Sequence, residues 1–374
     1  MRIQTPRFLR RHPVRALMLS VSIVTVLTGP AVAAPSEGLS LQPSITSATA
    51  MQSLMLSVTR AGQRLVAVGE RGFIIISDDN GSTWRQVSSP VNMTLVKVRF
   101  IDDRQGWAVG HAGVILHSQD GGLSWNRQLD GIQAAEIELQ EAKQALENAG
   151  DAEKARERLS QAQQLVDDGP DKPLLDLLFL DARYGLVVGA YGLAFATHDG
   201  GLSWQSIRSR IDNPNGLHLY SIERAGADLF LAGEQGMLLR SSDEGQSFET
   251  LASPYEGTTF GLQATGSGSI LAFGLRGKAF ESRDRGKTWQ HLDTLQPVTL
   301  TSGLQLDDGS IVLTDESGRV LRFTDGTRTA SVLPVSQPGY FTGMAQAANG
   351  DLIISSVRGM LSSVVAVESS EHDQ

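Results

Sequence analysis

The chain has 374 residues, with 41% hydrophobic and 20% charged residues, 39 glycines and no cysteine. That composition excludes a disordered or fibrous chain, and the lack of cysteine excludes a disulfide framework, a thiolate nucleophile and any cysteine-held metal or iron–sulfur group. A formal net charge of −9 argues against general nucleic-acid binding, which needs a basic footprint.

Residues 1–33 read as an address. Arg2, Arg7, Arg10, Arg11 and Arg15 make a basic start without an acid. Ala16 to Leu27 is apolar but too short to span a bilayer, and Ala31-Val32-Ala33 is a small-residue cleavage pattern after the break at Gly29-Pro30. A secretory signal peptide is expected over 1–33, with 34–374 exported to a bacterial periplasm. Without those five arginines, 27 Lys and Arg face 41 Asp and Glu, a net charge of −14. No later stretch is apolar for long enough to span a membrane.

A repeat then organises the rest. The pattern Ser/Thr-x-Asp-x-Gly-x-Thr/Ser-Trp/Phe occurs at residues 77–84, 118–125, 197–204, 241–248 and 282–289. Its aspartates are Asp79, Asp120, Asp199, Asp243 and Asp284, and its aromatic ends are Trp84, Trp125, Trp204, Phe248 and Trp289. Upstream of each lies a Gly-x-x-Gly turn, and the second glycines run Gly72, Gly113, Gly192, Gly236, Gly277, Gly318 and Gly359. Five of the six steps are 41 or 44 residues and one is 79. A period near 40 with short alternating apolar runs, such as 96–100, 106–110, 113–118 and 125–128, is a propeller signature. The fold expected is all-β: a seven-bladed β-propeller whose aspartates staple each blade through nearby backbone amides. Each box lies on its own blade without clustered carboxylates, so no metal site and no cofactor are expected. The seventh unit supplies about three strands, and Leu39 to Ala50 is expected to complete it and close the ring.

These boxes are Asp-boxes, also called bacterial neuraminidase repeats. With the unit form Leu-x-x-Val-x-Phe-x-Asp-x-x-x-Gly-Trp-Ala-Val-Gly-x-x-Gly-x-Ile-Leu over Leu95 to Leu116, the chain resembles the photosystem II stability/assembly factor-like propellers over about residues 50–365. The resemblance implies a seven-bladed, non-enzymatic assembly factor exported to a lumen or periplasm. In photosynthetic members it implies a reaction-centre subunit received on an arginine-rich surface. In other bacteria it implies a place beside RND-type exporters of the lipid-transport class. The expected function is an envelope scaffold that binds another protein, such as an RND-type exporter; a photosystem II assembly factor is the alternative.

The long step holds an insertion at 131–168, rich in Ala, Glu, Gln and Leu. Ile132, Leu139 and Leu146 with Ala135, Ala142 and Ala149 make one helical seam; Ala152, Ala155, Leu159, Ala162 and Val166 make another. An antiparallel hairpin between blades two and three is expected, turning at Gly150-Asp151. Its outer faces would carry Glu136, Glu138, Glu141, Glu147, Glu153 and Glu157, and it would project about 27 Å as a docking arm.

Topology places the Gly-x-x-Gly tips on the face that carries the blade-to-blade connections. The residue before each tip glycine is Arg71, Ala112, Tyr191, Gln235, Arg276, Ser317 or Arg358, with Lys278 and Arg319 just after two of them. Arg71, Arg276, Lys278, Arg319 and Arg358, with Tyr191 and Gln235, are the expected partner-binding residues. The alternative is ordinary turn arginines paired to acids such as Glu70 and Glu316. Asp-boxes also occur in sialidases, and a Tyr191 or Tyr220 with Glu223 is the pairing such chemistry would need. No Gly-x-Ser-x-Gly, Walker or His-pair motif accompanies it, and His111, His117, His198 and His218 read as structural. A non-enzyme is expected.

Overall fold

The computed structural model describes residues 42–148, 152–324, 326–335 and 337–363. The expected signal peptide at 1–33 and hairpin turn at Gly150-Asp151 lie outside them, as do Ala149 and Leu39 to Leu41.

Chain order and sheet order coincide. Among the described residues seven antiparallel sheets follow one another, six of four strands and the last of three. In each, the first strand in the chain is the innermost. These inner strands are Met55–Ala61, Leu95–Phe100, Leu174–Phe179, Leu219–Ala225, Thr259–Ala264, Leu300–Gln305 and Phe341–Gln346. Each packs beside the inner strand of the next sheet, and the seventh packs against the first, so the sheets form a closed cycle around a central channel. Closing the cycle leaves at its centre only short strand edges, protected inside the channel.

Register is repeated from sheet to sheet. Every inner strand carries an irregularity at its start, after which Ser57 faces Val68, Lys97 faces Val109, Asp176 faces Val188 and Ser221 faces Ala232. The second strands are buried on both faces because each sheet is sandwiched between two others. The aromatic end of an Asp-box fills the seam to the preceding sheet. Trp125 of the second sheet joins Val66, Val68 and Ile74 of the first, and Trp204 of the third joins Trp107 and Ile115 of the second. Trp107 stacks on Phe179 at 3.5 Å and on His117 at 4.6 Å, tying the second sheet to the third. Burying such rings contributes about 1.5–3 kcal/mol apiece.

The first-to-seventh seam differs from expectation. Residues 42–49 form no strand, and 50–52 make a single 3-10 turn. The segment lies beside the outer strand of the first sheet. Gln86 donates to Ile45 O at 2.8 Å and accepts from Ser47 N at 2.9 Å, and Ser44 N donates to Ser89 O. Pro43 lacks an amide and Ile45 points to solvent, so a two-sided ladder has neither the donors nor the apolar alternation it needs. Closure rests instead on side chains: Met55, Leu65 and Phe73 of the first sheet pack with Ala345 and Ile353 of the seventh, and Ala50 of the 3-10 turn sits among them.

Among the described residues two α-helices interrupt the series, α1 (Gly131–Glu147) and α2 (Ala152–Asp168), between the outer strand of the second sheet and the inner strand of the third. Asp130 starts α1 with a capping box, accepting from Ile132 N and Gln133 N while Gln133 bonds the Asp130 amide. Gly169 at φ 82°, followed by Pro170, ends α2. Glu138 of α1 meets Arg158 of α2, and Ala135 near the start of α1 shares a cluster with Leu165 near the end of α2, so the helices run antiparallel.

Candidate functional site

The five Asp-boxes share one hydrogen-bond pattern. In the first, Asp79 Oδ1 accepts from the Ser77 hydroxyl at 2.7 Å and from Thr83 N at 2.9 Å, and Asp79 Oδ2 accepts from the Thr83 hydroxyl at 2.6 Å. Gly81 N closes the turn on Ser77 Oγ at 2.8 Å. Asp120, Asp199, Asp243 and Asp284 are held likewise by Ser124, Ser203, Ser247 and Thr288. These bonds favour the ionised form, led by the hydroxyl four residues on. They hold Asp79, Asp199, Asp243 and Asp284 down at about 2. At Asp120 burial opposes, and the Ser124 bonds still lower it. Trp84 and Trp125 each donate Nε1 to the box glycine carbonyl at 3.1 Å; Trp204 and Trp289 make no such bond among the described residues. The boxes therefore use all their chemistry locally.

The tips lie at the other end of the sheets. A Cβ at Gly72 would meet Val91 O, one at Gly277 would meet Gln296 O and one at Gly359 would meet Met51 O. Each tip thus abuts the segment leaving its own sheet or, at the seventh, entering the first. At five tips the residue before the glycine takes a left-handed conformation: Arg71, Ala112, Tyr191, Gln235 and Arg276, with φ between 53° and 57°. Non-glycine residues rarely adopt it, so this turn carries strain that the sheet must hold. Ser317 and Arg358 do not share it: at the sixth tip Asp315 accepts from Ser317 N and Arg319 N, and the seventh is a tighter hairpin in which Ser356 pairs with Gly359.

The expected binding residues divide. Arg71, Arg276 and Arg358 are exposed, Lys278 is half-buried, and none of the four side chains has a hydrogen bond or ion pair among the described residues. The acids proposed to neutralise them are engaged elsewhere. Glu70 accepts from Leu54 N at 3.2 Å, and Glu316 accepts from Tyr340 Oη at 3.4 Å. Arg319 is different: its guanidinium pairs with the buried Asp315 at 2.6 Å and reaches Thr294 O, so it staples the sixth tip and is not a free cation. A carboxylate four residues before an arginine in a tight hairpin is positioned for that pairing. Gln235 and Tyr191 are exposed at the fourth and third tips, and Lys172 Nζ sits 5.0 Å from the Tyr191 ring centre.

The helical hairpin departs from the expected free arm. Glu138, expected on an outer face, is fully buried. It accepts from Arg158 at 3.0 Å, from Arg208 at 3.2 Å and from the Ser206 hydroxyl, which bolts α1 onto the outer strand of the third sheet. Ala134, Ala135 and Leu165 pack into the core cluster of the second and third sheets, while Ile132 is turned to solvent. The seam lies on the alanines and Glu138 because small side chains let the helix approach the sheet, and Arg158 of α2 and Arg208 beside the sheet compensate the buried carboxylate. Between α2 and the third tip remains a groove of about 420 Å³ bordered by Gln164, Leu165, Lys172, Tyr191 and Arg208.

A polar cluster in the channel was not singled out from sequence. Arg99 of the second sheet reaches Asp176 of the third at 3.1 Å and Glu223 of the fourth at 3.0 Å. Asp176 also accepts from Ser221 Oγ and Ile222 N. Burial lowers Lys97, which stands in the same channel of about 430 Å³ with no hydrogen bond among the described residues. Burial opposes the charge of Arg99 too, but Asp176 and Glu223 hold it above its ordinary value. The signal was present: Ser57, Lys97, Asp176, Ser221 and Ser302 stand 15 or 16 residues before their tip glycines, a polar column in apolar strands. Glu223 is thereby engaged by Arg99, and Tyr220 packs on His218 and Phe260, so the tyrosine–glutamate pair of a sialidase-like site is not formed. Among the described residues no metal-holding cluster of carboxylates and imidazoles occurs, and no helix is long and apolar enough to cross a membrane.

A closed cycle of sheets with Asp-box staples on one face and strained tips on the other defines a β-propeller of the Asp-box class. The sequence pattern of the family described as photosynthesis system II assembly factor YCF48 matches residues 46–147 and 155–372, and the chain belongs to that family. The photosystem II assembly lipoprotein Ycf48 of Synechococcus sp. (strain CC9902) is 32% identical over 77 residues, 21% of this chain and 23% of that protein. The match therefore spans about a quarter of the curated relative's length. Among solved structures, YCF48 bound to a D1 peptide superposes with a TM-score of 0.61 at 18% identity, covering 87% of this chain and 96% of that one. YCF48 from Cyanidioschyzon merolae gives 0.60 at 16%, covering 83% and 95%. Streptogramin B lyase gives 0.63 at 12%, covering 83% and 93%. At these identities the superpositions show the fold alone.

Proposed function

We propose that this chain is a non-catalytic, Ycf48-like assembly factor that holds a segment of a client protein on its tip face. We read its seven sheets as seven blades and its two helices as an insertion between blades two and three. One observation carries the reading. Arg71, Arg276, Arg358 and Lys278 stand without acid partners among the described residues, on one face of a strongly acidic chain, with Arg276 and Lys278 in the fifth sheet, Arg358 in the seventh and Arg71 in the first. Unpaired cations on a preformed face attract carboxylates and steer their approach.

Of the two clients raised by the sequence, a photosystem II subunit is the better supported, because the family and the D1-peptide-bound relative point that way. An RND-type exporter rests on the resemblance alone. The expected signal peptide at 1–33 would put the meeting outside the cytoplasm.

Titration calorimetry with a D1 peptide tests the client directly. Saturable binding that the triple variant Arg71→Glu, Arg276→Glu, Arg358→Glu loses supports a photosystem client on this face. Binding left intact in the triple variant contradicts the site. If the peptide does not bind while an exporter subunit co-purifies stoichiometrically from native membranes, the photosystem client is wrong.

A further inference from the structure

Four aromatic rings form a continuous line on the tip side. Tyr191, at the strained third tip, lies 4.9 Å from His218 between ring centres; His218 lies 6.0 Å from Tyr220, and Tyr220 lies 5.1 Å from Phe260. The line thus crosses from the third sheet through the fourth to the fifth. None of the four rings is fully buried, and Tyr191 is 52% exposed. At one end, Tyr191 borders the groove beside α2. In its middle and at its far end, Tyr220 and Phe260 line the channel.

The line is also held in place. Glu234 Oε2 is 3.0 Å from His218 Nδ1 and accepts from its amide at 2.8 Å, which fixes that ring. The αL turn at Tyr191 fixes where its side chain leaves the backbone. Gly274, which opens the fifth tip, approaches so closely that a Cβ there would lie 2.8 Å from Phe260 N. The line therefore ends beside the tip that carries the unpaired Arg276 and Lys278. At its start the cation Lys172 is already matched by Asp168 and Asp171. Charge along the path is thus asymmetric: compensated at Tyr191, uncompensated and positive past Phe260.

We propose that this aromatic line is the bed for an extended peptide segment of the client, with proline or aromatic side chains lying on the rings and carboxylates reaching the fifth tip. Ring faces suit such a segment because proline-rich and aromatic side chains gain contact area with little loss of conformational freedom. An extended chain rising about 3.3 Å per residue covers the ring-to-ring path in about five residues. The α2 groove receives the end of the segment that carries no charge. This rests on the tip-face reading above and names the chemistry of the partner.

The probe is a fluorescein-labelled synthetic peptide, Ser-Pro-Phe-Pro-Tyr-Pro-Asp-Glu-Asp, read by fluorescence anisotropy against the full chain. One control peptide has its acids replaced by Asn and Gln; another has its Phe, Tyr and Pro replaced by Ser. The protein variants are Tyr191→Ser with Tyr220→Leu, and Arg276→Glu, each checked by thermal melting. The expected result is saturable binding, weakened at least ten-fold by the tyrosine pair, by Arg276→Glu and by either control peptide. Equal binding of all three peptides, unchanged binding by the tyrosine variant, or no binding by the folded wild-type chain overturns the proposal. Client capture separates this from the broader reading. If the tyrosine variant captures the client as the wild type does, and the triple arginine variant does not, the aromatic bed is wrong and the tip face stands. If the wild type captures no client, the tip-face reading fails by itself.

Discussion

Glu138, halfway along α1, accepts a hydrogen bond at 3.2 Å from Arg208, which follows the outer strand of the third sheet, and has no surface of its own. An insertion that the ring does not need is thus tied to it by a buried carboxylate shared between two arginines and a serine. Removing one member of a buried ion group leaves the others uncompensated and costs about 3–5 kcal/mol. Glu138→Gln keeps the shape and removes the charge. We expect faster amide hydrogen exchange throughout 131–147 and 152–168 in that variant, with the inner strands unchanged. Equal protection in both helices would show that packing of Ala134, Ala135 and Leu165 alone docks the hairpin.

Arg99 plays the matching part inside the channel. It joins three successive sheets, because Asp176 and Glu223 belong to the third and fourth. Asp176 is buried, so Arg99→Met leaves it without its cation and should destabilise the chain by about 3–5 kcal/mol in urea melts. Adding Asp176→Asn to Arg99→Met should cost less than the two single changes added together, since the charge left behind is then gone. Strict additivity would mean that the pair is not coupled.

The Asp-boxes set the behaviour in acid. Asp79, Asp199, Asp243 and Asp284 sit at about 2 in the folded chain against 3.8 for a free side chain. A lowered folded value means stability that is complete above 3.8 and lost as pH falls toward 2. The wild-type melting temperature should therefore drop through that window. A variant with all four changed to Asn should melt lower at neutral pH and show a shallower drop between the two values. Parallel curves for the two chains would assign acid unfolding to other carboxylates.

Much of this was legible in the sequence, for physical reasons that also mark its limits. The boxes and tips were readable because each needs particular residues at fixed spacing: a hydroxyl, a carboxylate and a glycine for the box, and glycine with positive φ for the tip. The inner strands and the three-stranded last sheet followed from the same period. Residues whose partners come from another repeat were not readable. Arg319 is the exception: its partner Asp315 lies four residues back in the same hairpin, a local spacing that the nearer Glu316 obscured. Glu138 looked like any helix-surface glutamate, since Arg208 lies 70 residues away. The aromatic line joins residues from three sheets, and no linear spacing announces it. The 42–50 segment failed as a strand because pattern alone does not weigh Pro43 and a single Ile against the need for a full ladder.

Lysine crosslinking tests the central claim, that the client meets the tip face, because the fifth sheet carries a reporter at each end. Lys278 follows the fifth tip glycine, and the exposed Lys287 lies in the Asp-box at the opposite end. With the client bound, a short amine-reactive crosslinker read by mass spectrometry should join the client to Lys278 and to Lys172 beside Tyr191, and spare Lys287. Crosslinks concentrated at Lys287, with Lys278 and Lys172 unreacted toward the client, would place the partner on the Asp-box face and contradict the account.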